Sequence, residues 1–203
     1  MKKLFLLLIT TILLTGCFGN ENGNSEIITS NPNYTVYKDA DFSISYPKDW
    51  EIINKNTFTS NVPAETIIAF RNNLKNEVFT ANTNISKIQI PKETTSEDLG
   101  KSTLLKSKES LISFKELSKD PIIIKLGETE IQTFISGFEG KKSTSDPIIK
   151  FKQLYVSMKG FGYVITGAYL PYEDESVVKM IDEMLHSFSL NGHFEIEAPW
   201  PSG

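Results

Sequence analysis

"FSISYPKDWEI", Phe42–Ile52, is the stretch on which the fold turns. Phe42, Ile44 and Tyr46 alternate with Ser43 and Ser45, the two-residue period of a half-buried strand. Pro47 ends it because proline brings no N–H to a ladder. Lys48 and Asp49 then make a polar turn, and Trp50, Ile52 and Ile53 start a second short strand, with the Trp50 side chain as a buried anchor.

Downstream, "ETIIAF" (Glu65–Phe70) and "EVFTANTNISKIQI" (Glu77–Ile90) are rich in β-branched and aromatic residues and predict strands, joined through Asn72, Asn73 and Asn76. "TTSEDLGKSTLLKSKESLI" (Thr94–Ile112) predicts a helix capped by Ser96, with Glu97 and Asp98 in its first turn and Leu99, Leu104, Leu105 and Leu111 along it. Gly100, Ser102, Ser107 and Ser110 lower its intrinsic propensity, so packing must hold it. From Phe114 strands return. "PIIIKLG" and "EIQTFISGFEG" flank Gly127-Glu128, and "IIKFKQLYVSMK" and "YVITGAY" flank Gly160–Gly162. "YEDESVVKMIDEMLHSF" (Tyr172–Phe188) opens on acids and puts Val177, Met180, Ile181, Met184 and Phe188 on one helical face. Roughly six or seven antiparallel strands, one helix midway and one at the close make an α+β domain with helices packed on a sheet.

Upstream the order of signals is different. Met1-Lys2-Lys3 is positive, and Leu4–Leu14 is an apolar run of about 11 residues, the length of a signal-peptide core and well short of the roughly 20 residues of a membrane span. It ends at Leu14-Thr15-Gly16-Cys17, a lipobox similar to the bacterial lipoprotein signal, which predicts cleavage between Gly16 and Cys17 and a diacylglyceryl group on the Cys17 thiol. Acylation also accounts for the only cysteine in the 203 residues, since an exported chain with one cysteine forms no internal disulfide. Phe18–Asn33 is rich in Gly, Asn, Ser and Thr and predicts a flexible linker that holds the domain roughly 20–25 Å from the lipid. The organisation is therefore a signal peptide over 1–16, lipidated Cys17 and linker over 17–33, one domain over 34–190 and a tail over 191–203.

Loss of Lys2 and Lys3 takes Lys+Arg from 21 to 19 against 25 acids, so the formal charge moves from −4 to −6. An acidic chain with Arg71 as its one arginine is a poor match for nucleic acid, whose affinity comes from clustered cations on phosphates.

A strand ending in Tyr-Pro, a Lys-Asp turn before Trp50, a mid-chain helix, and "GYVITGAY" running into a helix that closes on "SFSL" together resemble the PsbP-like family, which includes DcrB-type bacterial lipoproteins. The likeness spans about Tyr34–Leu190. It implies an α/β/α sandwich around a central antiparallel sheet, used for docking onto larger assemblies, with no shared catalytic set. Plant members assist the water-oxidising complex of photosystem II, and nuclear relatives bind a small GTPase. The photosynthetic role and the metal binding of some members have no matching residues here and are not carried over.

Few residues invite other chemistry. His186 falls in the last turn of the closing helix, where a cation suits the dipole, and His193 begins the tail. Neither adjoins a nucleophile motif such as Gly-x-Ser-x-Gly. Glu173, Asp174 and Glu175 sit at a helix start and read as dipole compensation rather than a metal site. Trp200, between Pro199 and Pro201, either covers a sheet edge or engages a partner. The expectation is a non-enzymatic, lipid-anchored extracytoplasmic domain, on the outer face of the cell membrane or in an outer membrane, that docks to an envelope protein and needs no cofactor. Its rivals are a small-ligand-binding lipoprotein, marked by a concave apolar pocket with a few polar groups, and an envelope hydrolase, marked by a histidine beside a serine and an acid.

Overall fold

Two antiparallel meanders build the main sheet. The computed structural model describes residues 31–58, 62–126 and 129–191. The first meander is β3 (Glu51–Asn54), β4 (Thr66–Arg71) and β5 (Asn82–Gln89); the second is β6 (Ile112–Leu126), β7 (Thr129–Lys141), β8 (Ile149–Met158) and β9 (Phe161–Tyr169). They join through an eight-residue ladder between β5 and β9, from Asn82↔Ala168 to Gln89↔Phe161, giving the order β3-β4-β5-β9-β8-β7-β6. The chain passes from β5 to β6 through α1 (Ser96–Ser110). A second sheet holds β1 (Tyr34–Lys38), β2 (Phe42–Pro47) and β10 (Ser189–Leu190), with α2 (Glu175–Ser187) just before β10.

The pleat sorts the core. On β8 and β9, Leu154, Val156, Tyr163 and Ile165 point to the side where Val177, Ile181, Met184 and Leu185 of α2 lie, together with Phe42 and Ile44 of the small sheet and Trp50. The intervening Tyr155 and Val164 point the other way, to Leu99 of α1 and Phe134 of β7. Fully burying each such side chain is worth about 1.5–3 kcal/mol. The two helices need different things from the sheet. α2 carries a broad apolar stripe, whereas α1 buries only Ser96, Leu99 and Gly100 and leaves Leu105 exposed. A Cβ on Gly100 would strike the rings of Phe134 and Tyr155, so the missing side chain is what lets α1 sit close.

Several expectations shift. The strand at Phe42 belongs to the second sheet, not the main one. β5 begins at Asn82 rather than Glu77, because the Asn76 Oδ1 accepts the backbone N–H groups of Val78 (2.8 Å) and Phe79 (3.4 Å) and turns them into a loop. β6 reaches back to Ile112, well before Pro121. It is an edge strand, and Lys115, Glu116, Lys119, Asp120 and Pro121 with two register shifts along its ladder to β7 are edge protection, which masks the alternation. The cap of α1 is Thr95, whose Oγ1 accepts from Asp98 N at 3.1 Å. Ser96 instead turns its hydroxyl to β8. Thr95→Ala should lower stability by about 1 kcal/mol in urea titrations, as for other lost caps. Ahead of β1 the Asn31 carbonyl accepts from Tyr34 N at 3.1 Å.

Candidate binding groove

α1 is fastened to β8 at its first turn. Ser157 N donates to Ser96 Oγ at 2.8 Å, and Ser157 Oγ donates to the Thr94 carbonyl. This fixes the helix over β7 and β8 and leaves β5 beside it open. The result is a groove of about 700 Å³ with a floor of Ile88, Ile90 and Leu99. Ser102, Thr103 and Lys106 of α1 form one wall, and Glu65 and the backbone of Lys87, whose side chain turns to the other face over Phe161 and Tyr163, border the groove. Ser102 Oγ is occupied with the Leu99 carbonyl at 2.9 Å, and Lys87 Nζ with Asp41 while lying 4.4 Å from the Phe161 ring centroid. Lys106 has no ion-pair partner among the described residues.

The floor continues along the same pleat face as Ser86, Asn84 and Asn82, all half-buried. Beside it, on the same face of β7, β8 and β9, runs a hydrogen-bonded chain. Tyr155 OH donates to Gln153 Oε1 (3.0 Å), so Ser136 Oγ, 2.5 Å away, is the donor to that phenol; Gln153 Nε2 then donates to Thr166 Oγ1 (3.0 Å). Thr166, paired across the ladder with Asn84, is left with a hydroxyl hydrogen to offer on the open face. This surface offers an apolar floor, hydroxyl and amide rims, and the Lys106 cation.

Burial pushes the phenols of Tyr34, Tyr155 and Tyr163 well above their ordinary value of 10.0, with Glu183 beside Tyr34 and Asp41 beside Tyr163 adding to it. A raised pKa holds the proton in the folded state only. Unfolded chains release these protons above pH 10.0, so their contribution to stability is complete below that pH and lost as it rises. Urea midpoints should fall steeply on the alkaline side, with tyrosinate absorbance appearing on unfolding rather than before it.

The residues singled out by sequence do not meet in the groove. His186 is exposed at the end of α2 with Nδ1 2.8 Å from the Asp182 carbonyl, and the adjacent Ser187 hydroxyl is turned to backbone, donating to Met184 O (2.8 Å) and accepting from Ser45 N (2.9 Å). Asp174 caps α2, accepting from Ser176 N at 2.7 Å, and Ser176 holds its carboxyl below the usual carboxylate range. Arg71 bonds Glu51 across β4 and β3 through Nη2 at 2.6 Å and Nε at 3.2 Å. Trp50 is the buried anchor expected of it, at 4% exposure. Gly16, Cys17, His193 and Trp200 lie outside the described residues. The groove itself had no sequence signal, since the serines of α1 read only as weak helix formers.

No protein-family model and no curated protein matches the sequence. Solved structures do. Cyanobacterial PsbP (CyanoP) from Synechocystis sp. PCC 6803 superposes with a TM-score of 0.55 at 13% identity, over 86% of this chain and 99% of that one. PA94 of Pseudomonas aeruginosa, a protein of unknown function described as a putative regulator, has a TM-score of 0.47 at 14% identity, covering 84% of this chain and 99% of its own. LpqN of Mycobacterium tuberculosis, described as involved in cell envelope biogenesis, has 0.47 at 13% identity, covering 78% and 90%. At such identities the likeness is one of fold: mostly antiparallel sheet with two helices, arranged over nearly the whole described chain as in PsbP.

Proposed function

We propose that this chain is a DcrB-type PsbP-like lipoprotein: an α/β/α sandwich, tethered outside the cytosol by lipid on Cys17, that docks onto or supports an envelope protein assembly and catalyses no reaction. The observation that carries this reading is the apolar run ending at Gly16-Cys17, followed by a polar linker and a PsbP-like domain. No helix among the described residues is long and apolar enough to cross a membrane, so the lipid is the anchor in this reading. Docking would use the groove and the open face of β5, where Lys106 has no ion-pair partner among the described residues and Asn84 lies on the exposed side of the ladder. Crosslinking through lysines in native membranes, followed by mass spectrometry, should return one reproducible envelope protein, and Lys106→Glu should reduce its recovery several-fold. A chain that yields no reproducible partner contradicts the docking role.

One observation favours a second reading, a small-ligand-binding lipoprotein: the groove has the apolar floor and few polar groups that such a site requires. Native mass spectrometry of the purified chain distinguishes the two, because a bound small molecule adds a fixed mass without a protein crosslink.

A further inference from the structure

Of the eight large apolar side chains that the described residues leave exposed, five lie at one end of the main sheet: Leu74 (80%), Val78 (58%), Tyr172 (71%), Ile148 (40%) and Ile112 (41%). The ladder places them in a row. Arg71 pairs with Asn82, Asn82 with Ala168, Ala168 with Phe151, Ile149 with Gly140, and Lys141 with Ile112, so the β4–β5, β9–α2 and β7–β8 connections and the start of β6 share that end. The other three, Leu105, Leu117 and Ile123, lie along α1 and β6.

The β4–β5 loop is built to hold its apolar tips outward. Asn72, 4% exposed, donates its N–H to Ala81 O (2.9 Å) and accepts Leu74 N on its Oδ1 (3.1 Å). Asn76 Oδ1 accepts Val78 N at 2.8 Å, Asn76 N donates to Thr80 Oγ1 at 3.2 Å, and Phe79 packs against Ile149, Ala168 and Leu170. With polar side chains and one ring spent on its frame, the loop keeps Leu74 and Val78 from folding back onto the domain.

Asn31, where the described residues begin, lies at the same end. Lys48 N donates to Asn33 O at 2.9 Å, just before β3 opens at Glu51, the partner of Arg71; Asn31, Asn33 and Ser176 of the first turn of α2 line one cleft. Asp41 accepts Asn191 N at 2.8 Å at the far end of β2, so the C-terminal tail leaves from the opposite end, where Asp41 also meets Lys87 of the groove.

We propose that the Leu74, Val78, Tyr172 and Ile148 end of the domain rests on the lipid surface. This inference rests on the Cys17 anchor, which brings that end to the bilayer. It replaces the expectation of a domain held clear of the membrane and turns the groove outward. Separate apolar tips on loops suit insertion among headgroups. Glu77, Asp146, Glu173, Asp174 and Glu175 outnumber Lys75, Lys141 and Lys142 there, so the attraction is apolar and draws nothing from anionic lipid.

The test introduces tryptophan at Leu74 or, as a control at the far β1–β2 turn, at Ala40, in the full chain reconstituted into phosphatidylcholine vesicles bearing brominated acyl chains. Both positions are exposed, and emission is compared with that of the unsubstituted chain. The expected result is a chain that floats with the vesicles, with Leu74→Trp emission quenched at least twofold more than that of Ala40→Trp. A chain that floats with both tryptophans quenched alike overturns the lipid contact, keeps the anchor and leaves the tips to a protein partner. A chain that does not float overturns the anchor and the contact with it.

Discussion

Ile181→Ala should lower unfolding free energy by about 2–5 kcal/mol, the range for a large side chain removed from a packed core, and Gly167→Ala should repair part of the damage. Ile181 of α2 is fully buried, and a Cβ on Gly167 of β9 would overlap its Cγ2 while lying 3.5 Å from its Cβ, an ordinary contact. In the wild-type background Gly167→Ala therefore overpacks the interface and should cost about 1–3 kcal/mol. In the Ile181→Ala background the obstructing methyl is gone. Urea unfolding of the four chains in this cycle should give a double variant more stable than the sum of the singles by about 1 kcal/mol or more. Additive losses would mean that α2 does not press on β9 at this point. The consequence reaches the groove, because Thr166, the preceding residue, faces the opposite side and ends the Ser136–Tyr155–Gln153 hydrogen-bonded chain. Against a typical total of roughly 5–15 kcal/mol, the single loss at Ile181 is large enough to leave the domain partly unfolded at growth temperature.

Cys17→Ser should abolish lipidation outright. The acceptor must be a thiol, and a serine at the lipobox removes both the acyl attachment and the processing that follows it. In cells fed labelled palmitate, incorporation into the chain should drop to background, and the chain should accumulate as a precursor that still carries Leu4–Leu14. The proposed anchor would draw its strength from acyl chains: about 0.8 kcal/mol per buried methylene, with two chains needed for stable attachment. A run of about 11 apolar residues cannot replace it as a bilayer span. Unchanged palmitate labelling in Cys17→Ser would show that the lipid, if any, sits elsewhere.

The elements that sequence predicts well are those whose apolar period matches one exposed and one buried side. Strand β4 and α2 have that period, and α2 carries its acids at the start as the dipole requires; β2, β8 and β9 are packed on both faces and were legible instead through their β-branched and aromatic residues. The second half of β6 was legible as PIIIKLG, but its first half was not, because an edge strand faces solvent along one flank and fills that half with alternating charges and serines. β1 and β10 escaped because they are short and draw their order from β2, a pairing at long range that no local window contains. The groove was illegible for a related reason: it exists only because Ser96, Thr94 and Gly100 seat α1 over β7 and β8, leaving Ile88 of β5 uncovered. Likewise, Leu74, Val78, Tyr172 and Ile148 are far apart in sequence, and only the register of the ladder puts them at one end.

Lipid on Cys17 is the claim from which the location, the orientation and the docking role all follow. Intact mass spectrometry of the chain extracted from membranes by detergent measures it directly. The account predicts a chain whose first residue is Cys17 and whose mass exceeds that of residues 17–203 by an acylated glyceryl group. A chain that still begins at Met1 and carries a free thiol at Cys17 would contradict it.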